Sequence, residues 1–388
     1  MDLSKAFDSV SHSNLIEKLS NLGIKGPPLS WLKSYLTKIT QFVEMYHLNH
    51  NQYVPHQSKL MTIKHGVPQG SILGPLLFLC YIKGLPTVVG NNIKTSLCLY
   101  ADDTNLKISG KMKNEIELLA TQNLNNINNF FSLNQVLLNL EKTKFMEFSS
   151  KSISKLDTIE IRLDEIEVEQ VTTIKFLGFH IDSHLCWDNH IDYVTKKVSL
   201  GNFMLYRLSK FCTIEILKVV YFAHINSIIS FGINIYGATS KKNLNRILIL
   251  QKRAIRIMLK LDWLESVREH FKNLNIMTVY SSYLYYTILY TKFNSKSISL
   301  VGSSHGYETR HRGNILIPRH RLKFYEKKTS FIGGKCINIL PDLIKNENNF
   351  TKFKSLLKQF IIDRPLYSIE EFFEVRDCIL LYFSFFIT

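Results

Sequence analysis

No apolar run in this chain reaches the length that a bilayer demands. The longest, residues 72–82 and 378–388, fall short of the roughly 20 residues that a spanning helix needs. No charged-then-apolar leader opens the sequence, so the expectation is an intracellular protein of nucleus or cytoplasm that is not secreted. Cysteine is sparse as well: Cys80, Cys98, Cys186, Cys212, Cys336 and Cys378 form no Cys-x-x-Cys pair. That spacing argues against a zinc knuckle and against a disulfide framework, and it suits a reducing compartment. Internal repeats and long low-complexity tracts are missing too. Acid is in short supply, with 32 Asp+Glu against 48 Lys+Arg and a net charge of +16. Each phosphate neutralised by a cationic side chain releases condensed counterions, so nucleic acid is the natural partner. Charge alone leaves a merely solvated basic surface equally open.

What is present is ordinary globular material. With 45% hydrophobic and 21% charged residues over 388 positions, the chain can fold and should divide into two or three domains. Leu15, Ile16, Leu19 and Leu22 recur at helical spacing, with Ser13 as N-cap and Gly23 as terminator. Pro27 and Pro28 open a second helix carrying Leu29, Leu32, Tyr35 and Leu36. Strand-like runs at residues 41–45 and 59–64 follow. Residues 93–108 read as a hairpin with Ala101, Asp102 and Asp103 at its tip. Helical spacing returns at residues 115–133, and strands are expected at 144–148, 159–163 and 174–181. From residue 187 to about 292 the pattern becomes helical, and a Ser/Gly-containing stretch at 295–304 precedes a strongly basic segment.

Three acids carry the first chemical suggestion: Asp2 at the head of DLSKAFD, and the adjacent Asp102 and Asp103. Carboxylates brought together repel one another and lose hydration, so such a cluster is stable when cations neutralise it. Hard oxygen donors suit Mg²⁺, which takes one or two protein carboxylates plus phosphate oxygens. An acidic pair in a turn, taken alone, is more often a solvated loop.

The segments DLSKAFDSV, HGVPQGSILGPLLFLCYI, YADD, NLEKTKFMEF and KFLGFHID occur in the order of reverse transcriptase motifs A to E. The wording VPQGSILGP and the later LQKRAIRIMLK resemble non-LTR (LINE-type) retrotransposons of the jockey and chicken-repeat kind. The likeness is strong over residues 2–182 and looser beyond. It implies an α/β (α+β) fold: a polymerase right-hand palm with an antiparallel sheet and partial fingers over residues 1–182, a mainly helical thumb-like region over 183–300, and a basic C-terminal region over 301–388. It also implies an RNA-directed DNA polymerase that uses two Mg²⁺ ions, or Mn²⁺, and takes an RNA template, a DNA primer and deoxynucleoside triphosphates.

Carried onto this sequence, the resemblance makes Asp2 and Asp102 the main metal ligands, with Asp103 beside them, since consecutive strand residues face opposite ways unless the turn bends them together. Phe7 falls where the family places an aromatic gate against a ribose 2′-hydroxyl, although spacing alone favours simple core packing. Gln69 and Gly70 match the family's residues near the incoming nucleotide, and Lys142 matches its motif D lysine near the triphosphate. Asp8 is left to a structural role. In residues 241–260 Leu244, Ile247, Leu248, Ile255 and Met258 form an apolar stripe, with Lys252, Arg253, Arg256 and Lys260 nearby to track a phosphate backbone. Most such helices are core helices with solvated exteriors; position after motif E tips this one toward template and primer. Arg310, Arg312, Arg319 and Arg321, interleaved with aromatic residues, suit contact with unpaired RNA. In KCINILP, Ile337 stands where the family usually has tryptophan. His180, His184 and His190 lack a diagnostic metal-ligand spacing and read as structural.

The family's fingers precede motif A, so a second expectation stands beside the polymerase: a nucleic-acid-binding remnant without catalysis, which binds in a salt-sensitive way and synthesises little DNA.

Overall fold

The computed structural model describes residues 1–37, 39–89, 93–148, 159–164, 166–294, 299–303 and 312–374. The fold is mixed α and β, and the chain divides into two compact units, residues 1–172 and 173–388.

In the first unit, helices His12–Asn21, Pro27–Leu36, Leu73–Ile82 and Lys113–Leu133 surround a core that includes Leu3, Val10, Leu15, Leu19, Leu77, Phe78, Tyr81 and Phe131. The first helix starts earlier than Ser13: Ser11, held in extended conformation by a bridge to His65, is its N-cap. The Ser13 hydroxyl shares a 3.0 Å hydrogen bond with that of Ser11 instead. Gly23, at φ 93, follows the helix end as its spacing predicts. Tyr81 is buried, and its hydroxyl donates to the Asn134 carbonyl at 2.6 Å, joining two helices through a satisfied polar group.

The strands of this unit are short and pair two by two. Where the sequence suggests strands at 41–45 and 59–64, the structure has small ladders at Thr40–Gln41 and Met61–Thr62 enclosing a longer hairpin, Glu44–Asn49 with Gln52–Gln57. Its two-residue loop, His50 and Asn51, has φ of 46° and 63°. Left-handed residues at both loop positions match the twist of the flanking strands, and nothing in a His-Asn pair announces it as an Asn-Gly would. Every residue of both strands is exposed. The strand expected at 144–148 shrinks to Lys144–Phe145 and the one at 159–163 to Arg162–Leu163.

The second unit opens on another hairpin. Residues 174–181, expected as one strand, are two: Thr173–Phe176 and Phe179–Asp182, turning at Leu177 and Gly178 with φ of 45° and 84°. Both carboxylate oxygens of Asp182 then accept backbone N–H bonds, from Cys186 at 2.9 Å and Trp187 at 2.7 Å, and lead into helix Asp188–Leu208. Helices Ile214–Tyr221, Lys241–Leu259, Val279–Phe293, Thr329–Ile339 and Phe350–Ile362 follow, with a π-turn at Phe222–Asn226. Their core is rich in aromatics: Tyr221, Tyr236, Tyr280, Tyr283, Phe271 and Phe353 are essentially inaccessible. The apolar stripe of Lys241–Leu259 is buried as its periodicity requires. On the same helix Gln251 donates to the Tyr221 hydroxyl at 3.0 Å and accepts from the Val279 N–H at 2.7 Å, so three elements meet at one buried amide. Where Val279–Phe293 and Thr329–Ile339 cross, a Cβ built on Gly333 would overlap the Thr291 side chain. Only glycine fits there.

Among the described residues no helix is long and apolar enough to cross a membrane, and Cys80, Cys98, Cys186, Cys212 and Cys336 are free. Arg310, residues 295–298 and 304, and the apolar stretch 378–388 lie outside the described residues.

Candidate active site

Asp2 heads the strand Asp2–Ser4, which pairs antiparallel with Leu137–Asn139 and sets Asp2 opposite Asn139. On its other side Met1 exchanges two backbone hydrogen bonds with Thr104: its nitrogen donates to the Thr104 carbonyl at 2.9 Å, and its carbonyl accepts from the Thr104 N–H at 3.3 Å. Thr104 belongs to the strand Asp103–Ile108, partner of Thr95–Tyr100 in a six-pair hairpin. Continuing the Met1 and Thr104 register by one residue brings Asp2 beside Asp103, and directly opposed residues on neighbouring strands point to the same face. Asp102 follows Ala101 in the two-residue turn. Ala101 has φ 52, in the left-handed region, an unfavourable conformation for a residue with a Cβ.

The electrostatics agree with that register. Burial, then Asp102, then Asp2 hold the Asp103 carboxyl above the usual carboxylate range. Asp2 is balanced by Lys142, whose Nζ lies 3.1 Å from its Oδ2. Lys142 sits just past the strand partner of Asp2, and its backbone N–H donates to the Asn139 side chain at 3.2 Å. Three acids and one lysine from three sequence segments are thus gathered at one end of these ladders.

A second group forms beside the chain that leaves Asp2–Ser4. Phe7 is half-buried, its ring 4.9 Å from that of Phe78. Its carbonyl accepts from the Val67 N–H at 2.8 Å, and Gly66 N–H donates to the Val10 carbonyl at 2.8 Å. The loop carrying Gln69 and Gly70 is thereby laced to residues 7–10. A Cβ on Gly66 would stand 3.1 Å from the Asp8 Cα, so this approach depends on glycine. Gln69 donates to Asp8 at 2.9 Å. Gly70, at φ 81, has open space where a side chain would be. Asp8 is the residue that sequence reasoning undervalued. Its part in holding Gln69 depends on a pairing across 61 positions, which no local pattern announces.

Comparison with known proteins bears on the family. Residues 1–181 match the family profile for reverse transcriptase (RNA-dependent DNA polymerase). A probable RNA-directed DNA polymerase from transposon BS of Drosophila melanogaster is 30% identical over 72% of this chain. The RNA-directed DNA polymerase from mobile element jockey of the same fly is 27% identical over 71% of it. A retrovirus-related Pol polyprotein from the type-1 retrotransposable element R2 of Popillia japonica is 28% identical over 46% of it. Residues 1–181 are a reverse transcriptase domain of the non-LTR retrotransposon kind. The chain spans 30% of the length of the first two relatives and 25% of the third.

Reverse transcriptases work with divalent metal ions. The acids of this domain fit such an ion by donor chemistry, being hard carboxylate oxygens, with burial and the neighbouring acids already raising the Asp103 pKa. Among the described residues they do not close into a cage of three or more donors. Mg²⁺ at phosphoryl-transfer sites takes one or two carboxylates and completes its shell with water and substrate oxygens.

The basic residues singled out in the sequence have varied surroundings. Lys252 lies 3.9 Å from the centre of the Tyr367 ring, and burial with the nearby Arg256 and Arg268 lowers its pKa. The Arg256 guanidinium donates to the Glu265 carbonyl at 3.2 and 2.8 Å. Arg253, Lys260, Arg319 and Arg321 are exposed, as is Arg312. Ile337 is buried within Thr329–Ile339. His190 is buried among Phe179, Trp187, Tyr193 and Tyr236. Its Nδ1 accepts from the His180 N–H at 3.4 Å, and burial, with His180 nearby, holds its pKa down to about 4.

Proposed function

We propose that this chain carries the palm of an RNA-directed DNA polymerase, with a thumb-like helical region in its second unit, and that Asp2, Asp102 and Asp103 form its metal-binding centre. The observation that carries the reading is the register in which Met1 pairs with Thr104, which sets Asp2 beside Asp103 with Asp102 in the adjoining turn. Bound there, two Mg²⁺ ions, or Mn²⁺ in their place, supply positive charge to the attacking and leaving oxygens of an in-line displacement. The primer 3′-hydroxyl oxygen gives its proton to water and forms a bond to the α-phosphorus of the deoxynucleoside triphosphate as the bond to pyrophosphate breaks. Lys142, poised at Asp2, turns to the departing pyrophosphate, where a cation or a proton is wanted. Asp8 holds Gln69 toward the incoming nucleotide, the space over Gly70 admits the nucleotide close to the backbone, and the Phe7 ring, backed by Phe78, excludes a 2′-hydroxyl. Lys252, Arg253, Arg256 and Lys260, and farther on Arg310, Arg312, Arg319 and Arg321, track the RNA template and DNA primer.

A second reading, nucleic-acid binding without catalysis, draws on Lys142: it already neutralises Asp2, so the acids can persist without an ion. One experiment separates the two. Purified chain is given a primed RNA template, deoxynucleotides and Mg²⁺, alongside Asp102→Asn. Extension by the native chain that the variant loses while still binding template supports the polymerase. Equal extension by both sinks the assignment of Asp102, and binding with no extension by either selects the second reading.

A further inference from the structure

At the C-terminal end of helix Lys241–Leu259 an open cleft of about 390 Å³ lies within the second unit, lined by Tyr206, Arg253, Arg256, Lys260 and Trp263 among others. None of its eight lining residues is acidic. Trp263 is 71% and Tyr206 52% exposed, so two large rings of one cleft are left accessible. Isolated apolar side chains on a surface need no explanation, but two aromatic side chains lining one cleft with three cations do.

The cations are arranged rather than scattered. The Lys210 ammonium sits 5.2 Å from the Tyr206 ring centre. Arg256 has its fork tied to the Glu265 carbonyl, so its plane is fixed before anything binds. Lys260 ends the helix at φ 54 in left-handed conformation and is exposed, as is Arg253. Flat rings beside phosphate-seeking cations match one ligand chemistry: a π-face on a phosphodiester backbone. In a duplex the base faces are stacked on one another and closed to a tryptophan; in a single strand they are open. The volume is of small-ligand size, which begins at roughly 300 Å³.

We propose that this cleft seats one unpaired base of a single-stranded nucleic acid, stacked on Trp263 and Tyr206, with its phosphates on Arg253 and Lys260. This rests on the reading of the chain as a nucleic-acid binder and specifies what that end of the helix recognises. RNA and DNA single strands share the chemistry.

The test is a fluorescence titration of the full chain at low salt with oligo-rU, oligo-dT and a blunt duplex, each of about 12 residues. The single strands quench Trp263 emission. Trp263→Ala, at an exposed site, weakens their binding about tenfold, within the range for losing one base–aromatic stack. Its duplex affinity stays within about twofold, and Trp263→Phe recovers most of the single-strand loss. Unequal losses for oligo-rU and oligo-dT tell which sugar the cleft prefers and support it for that strand. Unchanged single-strand affinity in Trp263→Ala, or an equal loss on duplex, overturns the stacking site while leaving the nucleic-acid reading intact. If the native chain binds no strand and no duplex even at low salt, that underlying reading falls and the cleft with it.

Discussion

The two units hold themselves together by different means. The second buries tyrosines and phenylalanines in numbers and knits some of them together through enclosed polar groups, as Gln251 does for Tyr221 and Val279. The first is built of short ladders and keeps its distinctive side chains, the three aspartates and Lys142, partly in water. Charge explains the difference. A carboxylate moved into a core becomes neutral, whereas acids meant to hold a hard cation must stay ionisable and close, which leaves little apolar surface to bury around them. On the proposed function, the second unit is mainly scaffold and the first carries the chemistry.

The contrast can be broken most decisively at the acids. Asp102→Asn should lower primer extension by about 10²-fold or more, since a metal-centred interaction is worth several kcal/mol in the transition state, and should leave the denaturation midpoint nearly unmoved. A variant that unfolds instead would mean the aspartates are scaffold. Phe271→Ala in the second unit should do the reverse. Emptying a site of 0% exposure costs about 3–5 kcal/mol, to be read from urea unfolding, and a loss under about 1 kcal/mol would show that this core is looser than it looks.

Acid sharpens the comparison further. Ordinary imidazole takes a proton near 6.5, while buried His190 resists until about 4. Between those values the unfolded chain binds more protons than the folded one, so stability is full above about 6.5 and is lost as pH falls toward 4. His190→Phe should remove that part of the acid sensitivity; a variant whose unfolding follows the native pH profile would contradict it. Lys142→Ala should slow extension about 10-fold or more. Its ion pair with Asp2 joins a lysine side chain 69% exposed, so stability should change by less than about 1 kcal/mol. The smallest effect is expected at the turn. Ala101→Gly relieves a left-handed alanine and should stabilise the hairpin by about 0.5–1 kcal/mol in equilibrium unfolding, where a loss of stability would show the turn to be unstrained.

What the sequence discloses follows the range of the interaction. The hairpin bearing Asp102 is legible because two alternating runs flank a polar turn. The helix Lys241–Leu259 is legible because its apolar residues keep helical time. The turn at Leu177 and Gly178 is hidden, since leucine does not advertise a left-handed conformation, and so is the His50 and Asn51 turn. In the candidate site the acids can be named from their motifs, but their partnering cannot: Met1 finds Thr104 across 103 positions, and Asp8 finds Gln69 across 61. Likewise a basic face says nothing of Tyr367, which claims Lys252 from the distant loop after helix Phe350–Ile362.

The crossing at Gly333 has a mechanical consequence. With backbone nearly touching the Thr291 side chain, the two helices meet as a key meets its slot. Thr329–Ile339 cannot slide by a turn without collision, because Thr329 or Ile337 would then bring a side chain into a gap that admits none. The segment after Gly333, which carries Ile337 and the turn at Pro341, is therefore delivered at a fixed angle and height. Motion in that part of the molecule has to come from loops, since this joint has no play.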